Sequence, residues 1–450
     1  MKRWIAIFLI LCMALSVAAC GQAPAQPDAD SSAAGKPIEL TYWHSMDGVY
    51  AEIVDRQVKA FNDTVGAEKN IHVTAVFQDW PGTDALTAAM ASDNVANMPD
   101  VIQLYSESVS LIRGYDRTVW AEDYISSADS AVTKADLIPN TVEAYTIDGK
   151  MIGVPYNISA LMLYYNKDQL AAAGYTEPPK TIAEMAQMLP ALVANSDAEY
   201  GLNVRVNAFE LENWIVTQGA NGSYFGNNDS GRSGYMTELA CQDELKAYLN
   251  EWKKVVDSGA YKSVRDSINE EFAAGMHSMV IMTSSRILTI RDLVGDAFDW
   301  DVAPIPTVNA GDVGGAYPSG GGLFMLDRGD EAKKDAAWEF VQFLISPEAQ
   351  TMWLDGTGYI PVNVHAAQLD AYKEYVAAEP RLNAPFEVLM ASPAKVVAAF
   401  TPNSSDVDSL IKNSMLLLGD GSATVDDTYA AIVDGCEQAF ADYYRANPID

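Results

Sequence analysis

From residue 37 onward, short apolar, β-branched runs alternate with longer stretches whose apolar residues recur every three or four positions. That is the pattern of strands layered with helices, an α/β chain. Residues 38–43 predict a first strand. Residues 50–64, with Ile53, Val54, Val58 and Phe61 at helical spacing, predict the helix that follows. A strand over 71–77, a helix over 83–92 and a buried strand over 100–105 complete a βαβαβ opening. Such a unit implies a mostly parallel sheet, with ligands beyond the carboxyl ends of its strands.

Residues 151–166 change character: 152–156 and 160–166 are two extended runs, broken around Asn157, Ile158 and Ser159. Helices are predicted over 182–194, 239–258 and 268–274. Strands over 279–283 and 300–304 lead into a glycine-rich segment, 314–325, and after Asp330 the pattern is almost wholly helical. In the run Gly320-Gly321-Gly322, missing side chains suit either a close approach of backbone N–H groups to a ligand or a strand-entry turn with positive φ.

Composition adds charge to this picture. The chain has 450 residues with 29 Lys+Arg against 61 Asp+Glu, a formal charge of −32. A surface this acidic repels phosphate backbones, so nucleic acid is not an expected partner. The acids are scattered, as in a solvated surface. No Cys-x-x-Cys or His/Cys spacing suggests structural zinc, and no metal or cofactor is expected. Cys241 and Cys436 are compatible with a disulfide or with two buried thiols.

The amino terminus begins with Lys2 and Arg3, continues with an apolar run over 4–17 that is short for a bilayer span, and closes on Val17-Ala18-Ala19-Cys20. Small residues before a cysteine resemble a bacterial lipobox, which implies a signal peptide over 1–20, acylation of Cys20 and export. Residues 21–36 have almost nothing to bury and read as a flexible tether.

No G-x-S-x-G, H-E-x-x-H or Walker loop is present, and the four histidines are dispersed, so no enzymatic activity is expected. Aromatic residues are the better signal. Trp43 ends the first strand, Trp80 lies just past the second and Tyr105 closes the third. Tyr156, Trp214, Tyr224, Tyr317 and Tyr359 sit beside Gly, Pro, Asn or Ser. Such rings offer apolar faces to the C–H faces of a sugar, while nearby amides and hydroxyls take its hydroxyl groups.

Several segments occur in a characteristic order: 43–48, WHSMDG; 99–105, PDVIQLY; 155–159, PYNIS; 163–168, LYYNKD; 210–213, ELEN; and 358–362, GYIPV. In these the chain resembles the extracellular solute-binding proteins of carbohydrate-type ABC importers, and within them the glycerol-3-phosphate-binding branch. The resemblance spans nearly all of 37–445. It implies a periplasmic-binding-protein-like fold, two α/β lobes joined by hinge crossings with the ligand cleft between them. One lobe is expected over 37–155 and 284–325 and the other over 156–283 and 326–450, with crossings near 156–159, 282–284 and 326–328.

The resemblance matches Ser159 to a ligand-binding serine and Gly320 to a glycine whose backbone touches the ligand. It matches Tyr359 to a tyrosine that reaches a phosphate, and Ser284 or Ser285 to a further serine. Trp80, or residues 81–83 beside it, replaces a cleft tyrosine, and Ser106 stands where a glutamate is expected, with Glu107 next. Residues 400–405 align with a segment ending in a phosphate-binding arginine; here that position is Ser405, followed by Asp406. A dianionic phosphate needs charge-assisted donors such as an arginine fork.

The ligand expected is therefore a neutral sugar or oligosaccharide, delivered by a lipid-anchored monomer to an ABC permease. Trp43, Trp80, Tyr156, Trp214 and Tyr359 are the expected stacking surfaces. Asn157, Ser159, Ser284 and the Gly320 backbone are the expected hydroxyl binders, and Asp47 and Glu107 the carboxylate acceptors. The alternative in the same class is a glycerol-3-phosphate or glycerophosphodiester receptor with a relocated cation, for which Arg205, Arg232 and Arg286 lie nearest. A secreted glycoside hydrolase and a surface adhesin are more remote alternatives.

Overall fold

The computed structural model describes residues 36–449 except 93, 106, 107 and 265, so the expected leader, tether and Cys20 lie outside the described residues. The first half carries strands β1 (Ile38–His44), β2 (Ile71–Phe77), β3 (Val101–Tyr105), β4 (Thr118–Val119), β5 (Thr146–Ile147), β6 (Lys150–Met151) and β7 (Val154–Ser159). The second carries β8 (Leu161–Asn166), β9 (Tyr200–Asn203), β10 (Tyr261–Lys262), β11 (His277–Thr283), β12 (Trp300–Pro304) and β13 (Ser319–Leu326). They form two main sheets. In the first the order is β2-β1-β3-β13-β4, with β7 also paired to β13; in the second it is β10-β9-β11-β8-β12. Strands β5 and β6 make a separate ribbon.

The βαβαβ opening forms as its periodicity predicts. Parallel pairing of β1 with β2, in register from Ile38↔Ile71 to His44↔Phe77, needs a crossover. Helix Gly48–Asp63 supplies it, burying Ile53, Val54, Gln57, Val58 and Phe61 along one stripe. Strand β3 pairs parallel to β1 and antiparallel to β13. Asp100, just before β3, accepts from the Thr41 N–H at 2.8 Å and from Arg328 at 2.9 Å, fixing where β3 starts against β1.

In the second sheet, side chains alternate between two apolar layers, as the strand period of two requires. Leu161 and Leu163 of β8 and Met279 and Ile281 of β11 join Trp214, Trp252 and the helices beneath them. Met162 and Tyr164, Val280 and Met282 face the opposite way, toward Phe272 and Trp300. Cys241 and Cys436 are both free and buried, so the thiol alternative is the one realised.

Of the expected crossings between sheets, the one near 156–159 forms, directly after Ser159, and the other two do not. Asn157, Ile158 and Ser159 do not break the strand; they complete β7 in the first sheet, and the chain passes through Ala160 alone into β8 of the second. The segment after Thr283 stays with the second sheet through β12, and the chain returns to the first between Pro304 and Ser319. No crossing occurs at 326–328: helix Glu331–Leu344 continues from β13 and packs against β1 and β13. Thus 284–304 belongs with the second sheet and 331–344 with the first, the reverse of the expected assignment. An amphipathic period shows which face of a helix is buried but not which sheet buries it.

Candidate ligand cleft

Parallel strands deliver their carboxyl ends to one edge of each sheet. At the edge of the first sheet, Trp80 is 60% exposed and its ring lies 4.0 Å from that of Tyr105, at 62°. Tyr105 closes β3 and is itself buried, so an immobile ring supports an open one. Beside them β7 ends and β13 begins, and the hydroxyls of Ser159 and Ser319 lie 2.9 Å apart. Gly320 has φ +126°, and a Cβ there would come within 2.1 Å of the Asn157 carbonyl oxygen. Glycine is needed for that close strand pairing.

Beneath this edge runs a buried amide chain. Gln103 Oε1 accepts from the Ser45 N–H at 3.1 Å, and Gln103 Nε2 donates to Asn157 Oδ1 at 2.7 Å. Tyr359 packs edge-on to Tyr50 at 5.3 Å and to Trp353 at 5.2 Å, and the Tyr50 hydroxyl donates to the Ser285 carbonyl at 3.3 Å. Burial raises the Tyr359 hydroxyl far above its ordinary pKa, so it is neutral at physiological pH.

At the corresponding edge of the second sheet, the ends of β9 and β11 and the start of β8 border a cavity of 170 Å³. Arg205, Phe209, Glu210, Asn269, Thr283 and Arg286 are among its lining residues. A larger depression of 490 Å³ lies elsewhere, lined by Asp168, Gln169, Ala172 and residues 194–197, and offers no aromatic ring.

Among the expected site residues, Trp80, Ser159 and Gly320 meet at the first edge, with Asp47 exposed at the start of helix Gly48–Asp63 and Tyr359 largely buried nearby. Asp47 stands three residues before Tyr50, whose ring packs edge-on to Tyr359 at 5.3 Å. Trp43 is half-buried in β1, packed against the core. Asn157 is fully buried and serves the amide chain. Ser106 and Glu107 lie outside the described residues.

Three expectations are corrected. Tyr156 is fully buried, hydrogen-bonds through its hydroxyl to Gln57 and packs on Trp353 at 5.3 Å; it is core. Trp214 is likewise fully buried, donates from Nε1 to the Pro306 carbonyl at 2.9 Å and stacks on Tyr248 at 5.2 Å. It lies within helix Ala208–Val216, on a face packed against Tyr248 and Trp252. Ser284 is fully buried, and its hydroxyl donates to the Gly358 carbonyl at 2.8 Å while accepting from the Ala160 N–H at 3.3 Å. With the Ser284 N–H donating to the Ala160 carbonyl at 2.8 Å, it stitches three chain segments at the crossing.

Of the three cations considered, Arg232 is structural: it stacks on Phe400 at 4.3 Å and donates to the carbonyls of Glu143 and Ala398. Ser405 is exposed in the first turn of helix Ser404–Gly419. Tyr50, Ser319 and Phe209 were missed. Ser319 stands directly before the glycine run and Tyr50 three residues after Asp47, so adjacency was the one signal available.

Two α/β sheets, connected by strands and loops that pass from one to the other, with polar and aromatic groups gathered at their carboxyl edges, define a two-lobed receptor for a small solute. The model of the bacterial extracellular solute-binding protein family matches residues 56–380, and the chain belongs to that family. It is 24% identical over 366 residues to the sn-glycerol-3-phosphate-binding periplasmic protein UgpB of Agrobacterium fabrum, covering 79% of this chain and 81% of the relative. The sugar-binding protein MalE from Xanthomonas citri superposes with a TM-score of 0.75 at 20% identity, covering 92% of this chain and all (100%) of that one. UgpB from Mycobacterium tuberculosis, in complex with glycerophosphocholine, superposes with a TM-score of 0.69 at 20% identity, covering 91% and 99%. The structural likenesses show the periplasmic-binding-protein-like fold, and the family match makes the chain an extracellular solute-binding protein.

Proposed function

We propose that this chain captures a saccharide outside the cell, held at the membrane by lipid on Cys20, and delivers it to an ABC permease. The supporting observation is the Trp80–Tyr105 platform beside the Ser159–Ser319 hydroxyl pair. A pyranose ring laid on Trp80 places its C–H face on the indole, and its rim hydroxyls reach serine oxygens that both donate and accept. Binding needs no chemistry on the ligand. Closure about Ala160 brings the two edges together, and ligand contacts made only in the closed form shift the balance toward it.

A second reading, a receptor for glycerol-3-phosphate or its diesters, is favoured by the similarity to the sn-glycerol-3-phosphate-binding protein UgpB and by Arg205 and Arg286 at the second edge. The test is a thermal-shift screen of residues 21–450, which contain the whole compact unit Pro37–Asp450. Maltose, maltotriose, uronate oligomers, glycerol-3-phosphate and glycerophosphocholine would be compared, with ligand recovery to detect hydrolysis. A bound saccharide at a hundred times its Kd adds about 2.7 kcal/mol and raises the midpoint by several degrees. Stabilisation by the glycerol phosphates alone overturns the saccharide reading, and cleaved product would make the protein a hydrolase.

A further inference from the structure

Every other arginine among the described residues donates to a carboxylate or a backbone carbonyl: Arg56 to Asp355, Arg117 to Asp327, Arg328 to Asp100, Arg381 to Glu379, and so on. Arg205 and Arg286 show no such donation, and both line the 170 Å³ cavity at the carboxyl edge of the second sheet. The Arg205 Nε is buried with no hydrogen-bond partner. With 61 acidic residues available to 29 basic ones, an arginine in this chain has ample choice of carboxylate. A buried guanidinium N–H without an acceptor costs about 1–3 kcal/mol, a cost that falls on the half-buried Arg205 and that a bound anion would remove, while Arg286 beside it is exposed and open to the same ligand.

The carboxylate that shares the lining, Glu210, is turned toward its own helix, where it accepts from the Asn207 N–H at 3.1 Å in a capping box. Phe209, next to it, gives the cavity an apolar wall. Arg286 follows Ser285, whose carbonyl accepts from the hydroxyl of Tyr50, the ring packed on Tyr359, so it stands next to the first lobe's aromatic group in the chain.

Resting on the saccharide reading above, we infer that Arg205 and Arg286 bind a carboxylate or phosphate group carried by the sugar. The ligand is then an acidic saccharide, a uronate or a sugar phosphate. The aromatic platform takes the sugar face and the arginine pair takes the anion from the opposite lobe, each fork offering two parallel donors. The neutral ligand was expected from Ser405, with Arg205 and Arg286 considered as relocated cations for the rival phosphate reading alone; the arginine pair now gives the saccharide reading a cation on the other side of the cleft.

The experiment is titration calorimetry on residues 21–450 with glucuronate, trigalacturonate, glucose 1-phosphate, maltotriose and glycerol-3-phosphate, repeated on Arg205→Gln, Arg286→Gln and Trp80→Ala. At least one acidic saccharide should bind, lose tenfold or more in affinity in each glutamine variant, and weaken severalfold in Trp80→Ala, with folded-state circular dichroism unchanged. Uronates against phosphates separate the two anion sources. Binding of maltotriose alone, equal in wild type and both glutamine variants, overturns the arginine assignment and leaves the saccharide reading standing. Binding of glycerol-3-phosphate alone, sensitive to the arginines and indifferent to Trp80, overturns the saccharide reading and keeps the anion site. No response to any anionic probe overturns the inference.

Discussion

Trp80 and Trp214 are the same residue in two regions of opposite character. Trp80 follows a strand end, stands 60% exposed and rests edge-on against one buried tyrosine. Trp214 lies inside a helix, fully buried, in contact with Tyr248 and Trp252 and with its indole N–H bonded to a carbonyl. Both have polar neighbours in sequence. The difference is secondary structure: a loop beyond a strand's carboxyl end can leave a ring open to solvent, whereas a helix packed across a sheet turns its rings inward.

The largest expected effect comes from breaking the buried member. Trp214→Ala should destabilise the protein by about 3–5 kcal/mol through lost packing and an orphaned carbonyl, read as a lower urea midpoint. An unchanged midpoint would move Trp214 out of the core. Gly320→Ala tests whether the exposed edge is as rigid as the core. Its φ of +126° and the 2.1 Å approach to the Asn157 oxygen should cost about 1–3 kcal/mol. If Gly320→Ala melts like wild type, the β7–β13 edge is pliant.

A titration sharpens the contrast from the buried side. His277 is fully enclosed, and desolvation is the main cause holding its pKa below the ordinary value of 6.5, against the pull of Glu271. The unfolded chain therefore binds a proton at His277 more readily than the folded one. Stability should fall as pH drops below about 6.5 and level off once the folded state also protonates. His277→Gln should flatten that slope between pH 6.5 and 5 in thermal melts; an identical slope would assign the effect to other groups. The smallest change in stability belongs to Trp80→Ala, within about 0.5 kcal/mol. Its effect should appear in ligand affinity, weakened roughly three- to tenfold, about what one stacked ring contributes.

The strands were legible because apolar alternation and β-branched runs report directly on a half-buried or buried strand. β1, β2, β3 and β12 fall within a residue or so of expectation. What the sequence did not carry was partnership. Asn157 and Ser159 looked like a break because polar residues in a strand require partners, and those partners, Gln103 and Ser319, come from 54 and 160 positions away. Helix Glu331–Leu344 presented a clear apolar stripe, yet nothing local said that β1 would cover it. The aromatic inventory named Trp80 and Tyr105 correctly as strand-end rings. It included Tyr156 and Trp214 for want of knowing which side of their elements faces the core. Arg205 and Arg286 were visible as cations, but their lack of acid partners is a property of three dimensions.

The stitch of Ala160, Ser284 and Gly358 has a mechanical corollary. A seam that short acts as a fulcrum, and displacement along either arm grows with distance from it. In the closure proposed above, Ser159, one residue away, would move least. Strands β3 and β2 lie two and four positions out from β7, roughly 10 and 19 Å at the usual strand spacing. The loop bearing Trp80 follows the outermost of them and reaches back over the end of β3, where the indole meets Tyr105. An arriving solute therefore finds its hydroxyl contacts already in place beside the pivot, and the swing of the long arm then carries the indole over it.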